Sequence, residues 1–314
     1  MKAKTIKAVL RKKIDAWLAS IEDETLREQV AKNTIVTGGC IASMLLGEPV
    51  NDFDLYFRNR DTALKVANYY AERFKPANQK GIGCRIWVDD TNDERVRIVI
   101  KSDGIASENG SAKPYEYFES RPEGEATEYV ESVIRDPGDA EDVREETHQA
   151  TLATADDGKP PFRPVFMSTN AITLSGKVQI VLRFFGDPDA IHENYDFVHC
   201  TCYWTSWDNH LELRPAALEA LLTKELRYVG SRYPVCSIIR VRKFLKRNFT
   251  INAGQILKMC MQVSALDLTD PVVLEDQLTG VDVAYFMEVI KAVKEQDQAK
   301  INHAYLVEII DRMF

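Results

Sequence analysis

The chain has 314 residues, a formal net charge of −8 and 45% hydrophobic side chains, which is enough for a sizeable core and too acidic for a protein that coats nucleic acid along its length. No apolar run reaches membrane-spanning length, and the basic, amphipathic start MKAKTIKAVLRKKID has no hydrophobic centre of the signal-peptide kind, so a cytoplasmic protein without a membrane partner is expected. Six cysteines in a chain this long do not form a disulfide framework.

Apolar residues at Ile6, Val9, Leu10, Ile14, Trp17, Leu18 and Ile21 recur at helical spacing, and a second short helix is expected from Glu24 to Ala31. Nothing in these helices carries chemistry; they supply a packing face.

The stretch VTGGCIASMLLGEPVNDFDLYF, from Val36 to Phe57, organises the rest of the chain. The β-branched run before the two glycines predicts a short buried strand. The glycines turn the chain without a Cβ and leave backbone amides open to a ligand. Cys40 to Leu46 predicts a short apolar helix, closed by Gly47 as its left-handed cap and by Pro49 just after. Asp52 to Phe57 alternates polar and apolar, which predicts a half-buried strand with Asp52 and Asp54 on one face. Amides at a helix N-terminus hold phosphate, and paired carboxylates hold Mg²⁺ (or Mn²⁺), the combination that phosphoryl transfer needs.

This stretch resembles the head-domain signature of the DNA polymerase β nucleotidyltransferase superfamily. The pattern is that of CCA-adding enzymes and poly(A) polymerases, Gly-Gly-x-x-Arg-Asp-x-Leu-Leu-Gly followed by Asp-x-Asp. Gly38, Gly39, Leu45, Leu46, Gly47, Asp52 and Asp54 match it, whereas Ala42-Ser43 stands where the family has Arg-Asp. Ser43 can donate its hydroxyl to a phosphate in their place, as in the superfamily's Gly-Ser variants. The resemblance implies an α+β fold, a nucleotidyltransferase-type mixed sheet flanked by helices, with a C-terminal helical domain.

Further along, Asp61 to Phe74 predicts a helix, and CRIWVDD with RVRIVIKS a hairpin turning at Asn92-Asp93. Between Asp103 and Glu146 fourteen acidic residues face four basic ones, which marks an acidic insertion over about residues 103–160. FMST, AITL and KVQIVLRF then predict strands, with a turn at Ser175-Gly176. In the superfamily the strand beside the Asp-x-Asp strand carries a third carboxylate, the base for the attacking hydroxyl. KVQIVLRF is the natural match, yet its central polar residue is Gln179, which can neither take a proton nor charge a metal site. Asp196, expected to open the next strand, is assigned as the third carboxylate, with Glu193 behind it. Arg183, near the end of KVQIVLRF, is expected either to face the triphosphate or to be a surface arginine. His199, Cys200 and Cys202 lack the second ligand pair of a zinc site and are expected in the core, the two cysteines sharing a strand face.

Residues 1–210 are therefore expected to form the head domain and 211–314 a helical, basic-faced domain. In the latter, Arg240, Arg242, Lys243, Lys246 and Arg247 interleave with aromatics, a composition that can follow a phosphate backbone. KRNFTINAGQ is similar to the segment that opens the neck of CCA-adding enzymes, though the element that separates C from A there is not evident. The expected function is transfer of NMP from an NTP donor to an acceptor hydroxyl, an RNA 3′ end or another anionic acceptor. Asp52, Asp54 and Asp196 would bind metal and catalyse, while Gly38, Gly39, Ser43 and Arg183 hold nucleotide. The alternatives are a catalytically degenerate relative that binds nucleotide, RNA or a protein partner, phage- or defence-related, and an enzyme that nucleotidylates a protein or small molecule.

Overall fold

Ile6, Leu10, Ile14 and Trp17 form one buried stripe on helix α1 (Ala3–Ala19). Asp23 accepts from the Leu26 amide and so caps α2 (Glu24–Ala31), whose buried residues are Leu26 and Val30. A computed structural model describes residues 1–74, 84–91, 95–102, 115–117, 119–120, 161–168, 170–268, 270, 273 and 277. By their contacts the described residues divide into two compact units, one from residues 1–120, 161–192 and 200–214, the other from residues 193–199 and 215–277.

The first unit is built on a mixed sheet flanked by helices, as expected. Its strands are β1 (Thr34–Thr37), β2 (Phe53–Phe57), β6 (Glu119–Ser120), β7 (Pro164–Ser168), β8 (Ala171–Leu174), β9 (Val178–Phe185), β10 (Tyr203–Thr205) and β11 (His210–Glu212). Their order across the sheet is β11-β10-β1-β2-β9-β8-β7-β6, and β2 with β9 is the parallel pair among antiparallel ones. A three-stranded sheet of β3 (Cys84–Asp89), β4 (Arg97–Ser102) and β5 (Tyr115–Tyr117) accompanies it. The expected hairpin is thus β3–β4, while its turn and most of the acidic insertion lie outside the described residues.

Period-two alternation sorts the sheet into two faces. Val36, Leu55, Ile180, Ile172 and Trp204 share register and one wholly buried face. On that side Thr34 donates to the Val30 carbonyl of α2 at 2.7 Å. α4 (Arg60–Arg73), capped by Asn59, is tied to α1 where the Trp17 indole donates to the Tyr70 hydroxyl at 2.9 Å. The other face carries Tyr203, Thr37, Asp54, Gln179 and Thr173 in one row. α3 (Gly39–Leu46) and α5 (Pro188–His192) complete this unit's helices among the described residues.

The second unit is helical, with α6 (Pro215–Thr223), α7 (Pro234–Lys246) and α8 (Ala253–Val263). Asn252 caps α8 by accepting from the Gln255 amide; Phe197, Phe244 and Phe249 pack around His199, with Tyr228 against Phe197. The helices expected beyond residue 277 lie outside the described residues.

Candidate functional site

Strand β1 ends at Thr37, whose register partner on β2 is Asp54. The next residue, Gly38, has φ 91° and ψ −150°, a backbone region that only glycine enters readily. Its amide donates to the Cys200 carbonyl at 3.2 Å, which pins the turn. α3 then starts at Gly39 and closes at Gly47 in the left-handed conformation, with the Glu48 amide donating to the Ser43 carbonyl at 2.9 Å. The spacing of glycines and acids in the sequence therefore becomes adjacency in space.

Cys40 reports how close that adjacency is. Its buried thiol is pushed well above its ordinary range, first by burial, then by the negative charges of Asp54 and Asp52. Both carboxylates thus lie within electrostatic reach of the first turn of α3, and both residues are half-buried. A Cβ built on Gly39 would meet nothing within 4 Å, so the helix N-terminus has open space beside it. Ser43 sits one turn further into α3 and is buried at 7% exposure.

On the neighbouring parallel strand Gln179 is the register partner of Asp54, and Thr173 is the partner of Gln179. A neutral amide therefore occupies the position where a carboxylate would neighbour Asp54. Arg183 lies further along β9, beyond the residues in regular register with β2, and is buried, with its guanidinium 5.8 Å from the Phe184 ring.

Four residues around this face, Thr37, His192, Tyr203 and Arg214, were not singled out by sequence. The Thr37 hydroxyl lies 2.9 Å from the Cys202 carbonyl and 2.8 Å from His192 Nε2. The hydroxyl thus bridges the imidazole and the strand carbonyl. Burial, then the charge of Arg214, hold His192 down to about 4 against the opposing pull of Asp189, so it is neutral at pH 7. Arg214 pairs with Asp189 and stacks 5.5 Å from the Tyr203 ring, Tyr203 being the register partner of Thr37. His192 and Thr37 are 155 residues apart, and no local spacing announces their contact.

Asp196 belongs to the second unit. It does not open a strand: it precedes a 3₁₀ turn at Val198–Cys200, and β10 begins only at Tyr203. The expected shared strand face of Cys200 and Cys202 is corrected for the same reason. The Asp196 carboxylate is 13% exposed and pairs with Arg240 at 2.8 Å, and its carbonyl accepts from the Val229 amide. Glu193 is exposed. Arg242, Lys243 and Lys246 are exposed on α7, with Arg247 half-buried at its C-terminal cap.

The family model described as Gabija anti-defense 2 family protein matches residues 8–224. The chain belongs to the Gabija anti-defense 2 family. No match is found among curated proteins. Among solved structures, the chain is similar to a Thermotoga maritima CCA-adding enzyme complexed with tRNA, at 10% identity and a TM-score of 0.36, over 90% of this chain and 54% of that one. It is also similar to a Bacillus stearothermophilus CCA-adding enzyme in complex with CTP, at 11% identity and a TM-score of 0.32, over 86% of this chain and 49% of that one. The family's chain thus spans about half the length of the solved structures it matches.

The donor set of this family member fits a hard cation. Asp54 offers its carboxylate from β2 and Asp52 offers one from just before the strand, and Mg²⁺ completes its shell with water and phosphate oxygens rather than with an all-protein cage. Among the described residues no three His, Cys, Asp or Glu side chains form a metal-holding group, so a pair of acids is what this face provides.

Proposed function

We propose that this protein counters the Gabija defence as a nucleotidyltransferase-type protein, holding a metal-bound NTP and passing its NMP to an acceptor hydroxyl. The observation that carries this is the register of Thr37 with Asp54, which sets the glycine turn and the start of α3 beside the acid pair. The amides following Gly38 would receive phosphate oxygens, aided by the positive end of the helix, and Gly39 leaves the room for them. Asp52 and Asp54 would hold Mg²⁺, which when bound neutralises phosphate charge during displacement. Ser43 and Arg183 are the further candidates for nucleotide contact. In the transfer the acceptor oxygen bonds to the α-phosphorus, the bond to the β-phosphate oxygen breaks, and pyrophosphate leaves. Asp196, the carboxylate expected from the sequence to take the acceptor's proton, lies in the second unit and is paired there with Arg240. The exposed cations of α7 suit an RNA end or another anionic acceptor.

Nucleotide binding without transfer is favoured by one specific observation, Gln179 as the neighbour of Asp54. Incubation with each of four α-labelled NTPs, Mg²⁺ and cell extract separates the two. Labelling of an acceptor that is lost in Asp52→Asn with Asp54→Asn supports transfer. Mg²⁺-dependent nucleotide binding with no labelled product supports binding alone, and absence of both rejects the nucleotide site.

A further inference from the structure

The acid pair is not the only charged feature of the first unit. Lys4, Lys7, Arg11 and Lys12 of α1 line an open concavity of about 780 Å³, closed on one side by Asn209 in the β10–β11 turn. Residues at such spacings share a helix face, and from Lys4 to Lys12 that face runs about 12 Å. The carboxylate in the concavity, Asp15, is already engaged by Arg11 at 3.2 Å. Four cations against one paired acid make this a positive surface on a chain whose net charge is −8.

An aromatic plane hangs from the same turn. Arg11 donates to the Ser206 carbonyl at 2.8 Å, which fixes the cationic helix to the hairpin, and the next residue is Trp207. Trp207 is 36% exposed, and the Arg58 guanidinium lies 5.1 Å from its ring centre. The part of the indole that Arg58 leaves in solvent can still receive a stacking partner, and a base offers a π-face that an acidic side chain lacks. Cations alone would suit any polyanion; cations with a partly exposed indole beside them favour unpaired bases.

We propose that the outer face of α1 together with Trp207 is a binding surface for single-stranded nucleic acid, the lysines following phosphates and the indole stacking a base. This surface is separate from the acid pair and does not depend on nucleotide binding there.

The test is fluorescence anisotropy of a labelled single-stranded 15-mer oligouridylate on the full chain across a salt series. Lys4→Gln with Lys7→Gln and Lys12→Gln should weaken binding and reduce the slope of log affinity against log salt by about 2, three cations at roughly 0.7 each. Trp207→Ala should weaken binding about 5- to 100-fold with the slope unchanged. Asp52→Asn with Asp54→Asn should bind the oligomer as the wild type does, so that failure of the nucleotide site stays distinguishable. Unchanged affinity and slope in the triple variant would overturn the proposal. So would displacement of the oligomer by polyglutamate at equal charge with no effect of Trp207→Ala, which would assign the surface to an acidic protein. Should the triple variant unfold, Trp207→Ala and single lysine variants decide the same question.

Discussion

Gln179 lies directly beside Asp54, its register partner on the parallel strand β9, with both side chains on the half-exposed face of the sheet. Replacing that amide by a carboxylate would set a second acid directly beside Asp54 on the sheet. Gln179→Glu should therefore lower thermal stability without metal, since like charges on adjacent strands repel by about 0.2–1 kcal/mol. Mg²⁺ should reverse the loss and bind the variant more tightly than the wild type. Unfolding midpoints in chelator and in Mg²⁺ check both signs.

The two glycines of the turn should behave differently. Gly38 has φ 91°, so Gly38→Ala should cost about 1–3 kcal/mol in strain and show as a lower unfolding midpoint. Gly39 is helical with open space around its missing Cβ, so Gly39→Ala should leave stability unchanged or raise it by up to about 1 kcal/mol. The same substitution should weaken nucleotide binding, because the methyl group enters the space where phosphate would approach.

Thr37 should contribute through its hydroxyl. Thr37→Val keeps the shape but takes the hydrogen-bond partner from His192 Nε2 and from the Cys202 carbonyl, at about 1–3 kcal/mol, while Thr37→Ser should retain most of that stability. Urea unfolding of both variants provides the comparison.

What was legible in the sequence was local. The turn, α3, its glycine cap and the acid strand all lie within residues 34–57, where residue type and spacing decide the backbone with little help from elsewhere. The apolar run of β9 was equally plain, and its placement beside β2 followed. The contacts of Thr37 with His192 and of Arg214 with Tyr203 were not legible, because each joins residues through the packed sheet rather than through periodicity. Asp196 illustrates the opposite error. The run DFVHCTCYW has the composition of a strand, but the Phe197–Tyr228 bridge and the aromatic packing of His199 draw its first half into the second unit as a 3₁₀ turn.

Stability should fall in acid because of two buried imidazoles. Burial holds His199 down to about 4 from an ordinary 6.5, and His192 is lowered to about 4 as well. The unfolded chain takes up these protons below pH 6.5 and the folded chain does not, so stability is full above 6.5 and declines as pH falls toward 4. Each residue should contribute about 3 kcal/mol over that window. Urea midpoints at several pH values should show the decline, and His199→Phe, which keeps the aromatic packing, should remove roughly half of it.

If the turn at Gly38 and the acids Asp52 and Asp54 together hold a metal-bound triphosphate, calorimetry will register it. The titration is of a non-hydrolysable NTP, with and without Mg²⁺, into the wild type and into Asp52→Asn with Asp54→Asn. Saturable binding that requires Mg²⁺ in the wild type and disappears in a double variant of unchanged unfolding midpoint is the expected result. Equal binding by both proteins, or no binding by the wild type at any Mg²⁺ concentration, would refute the site.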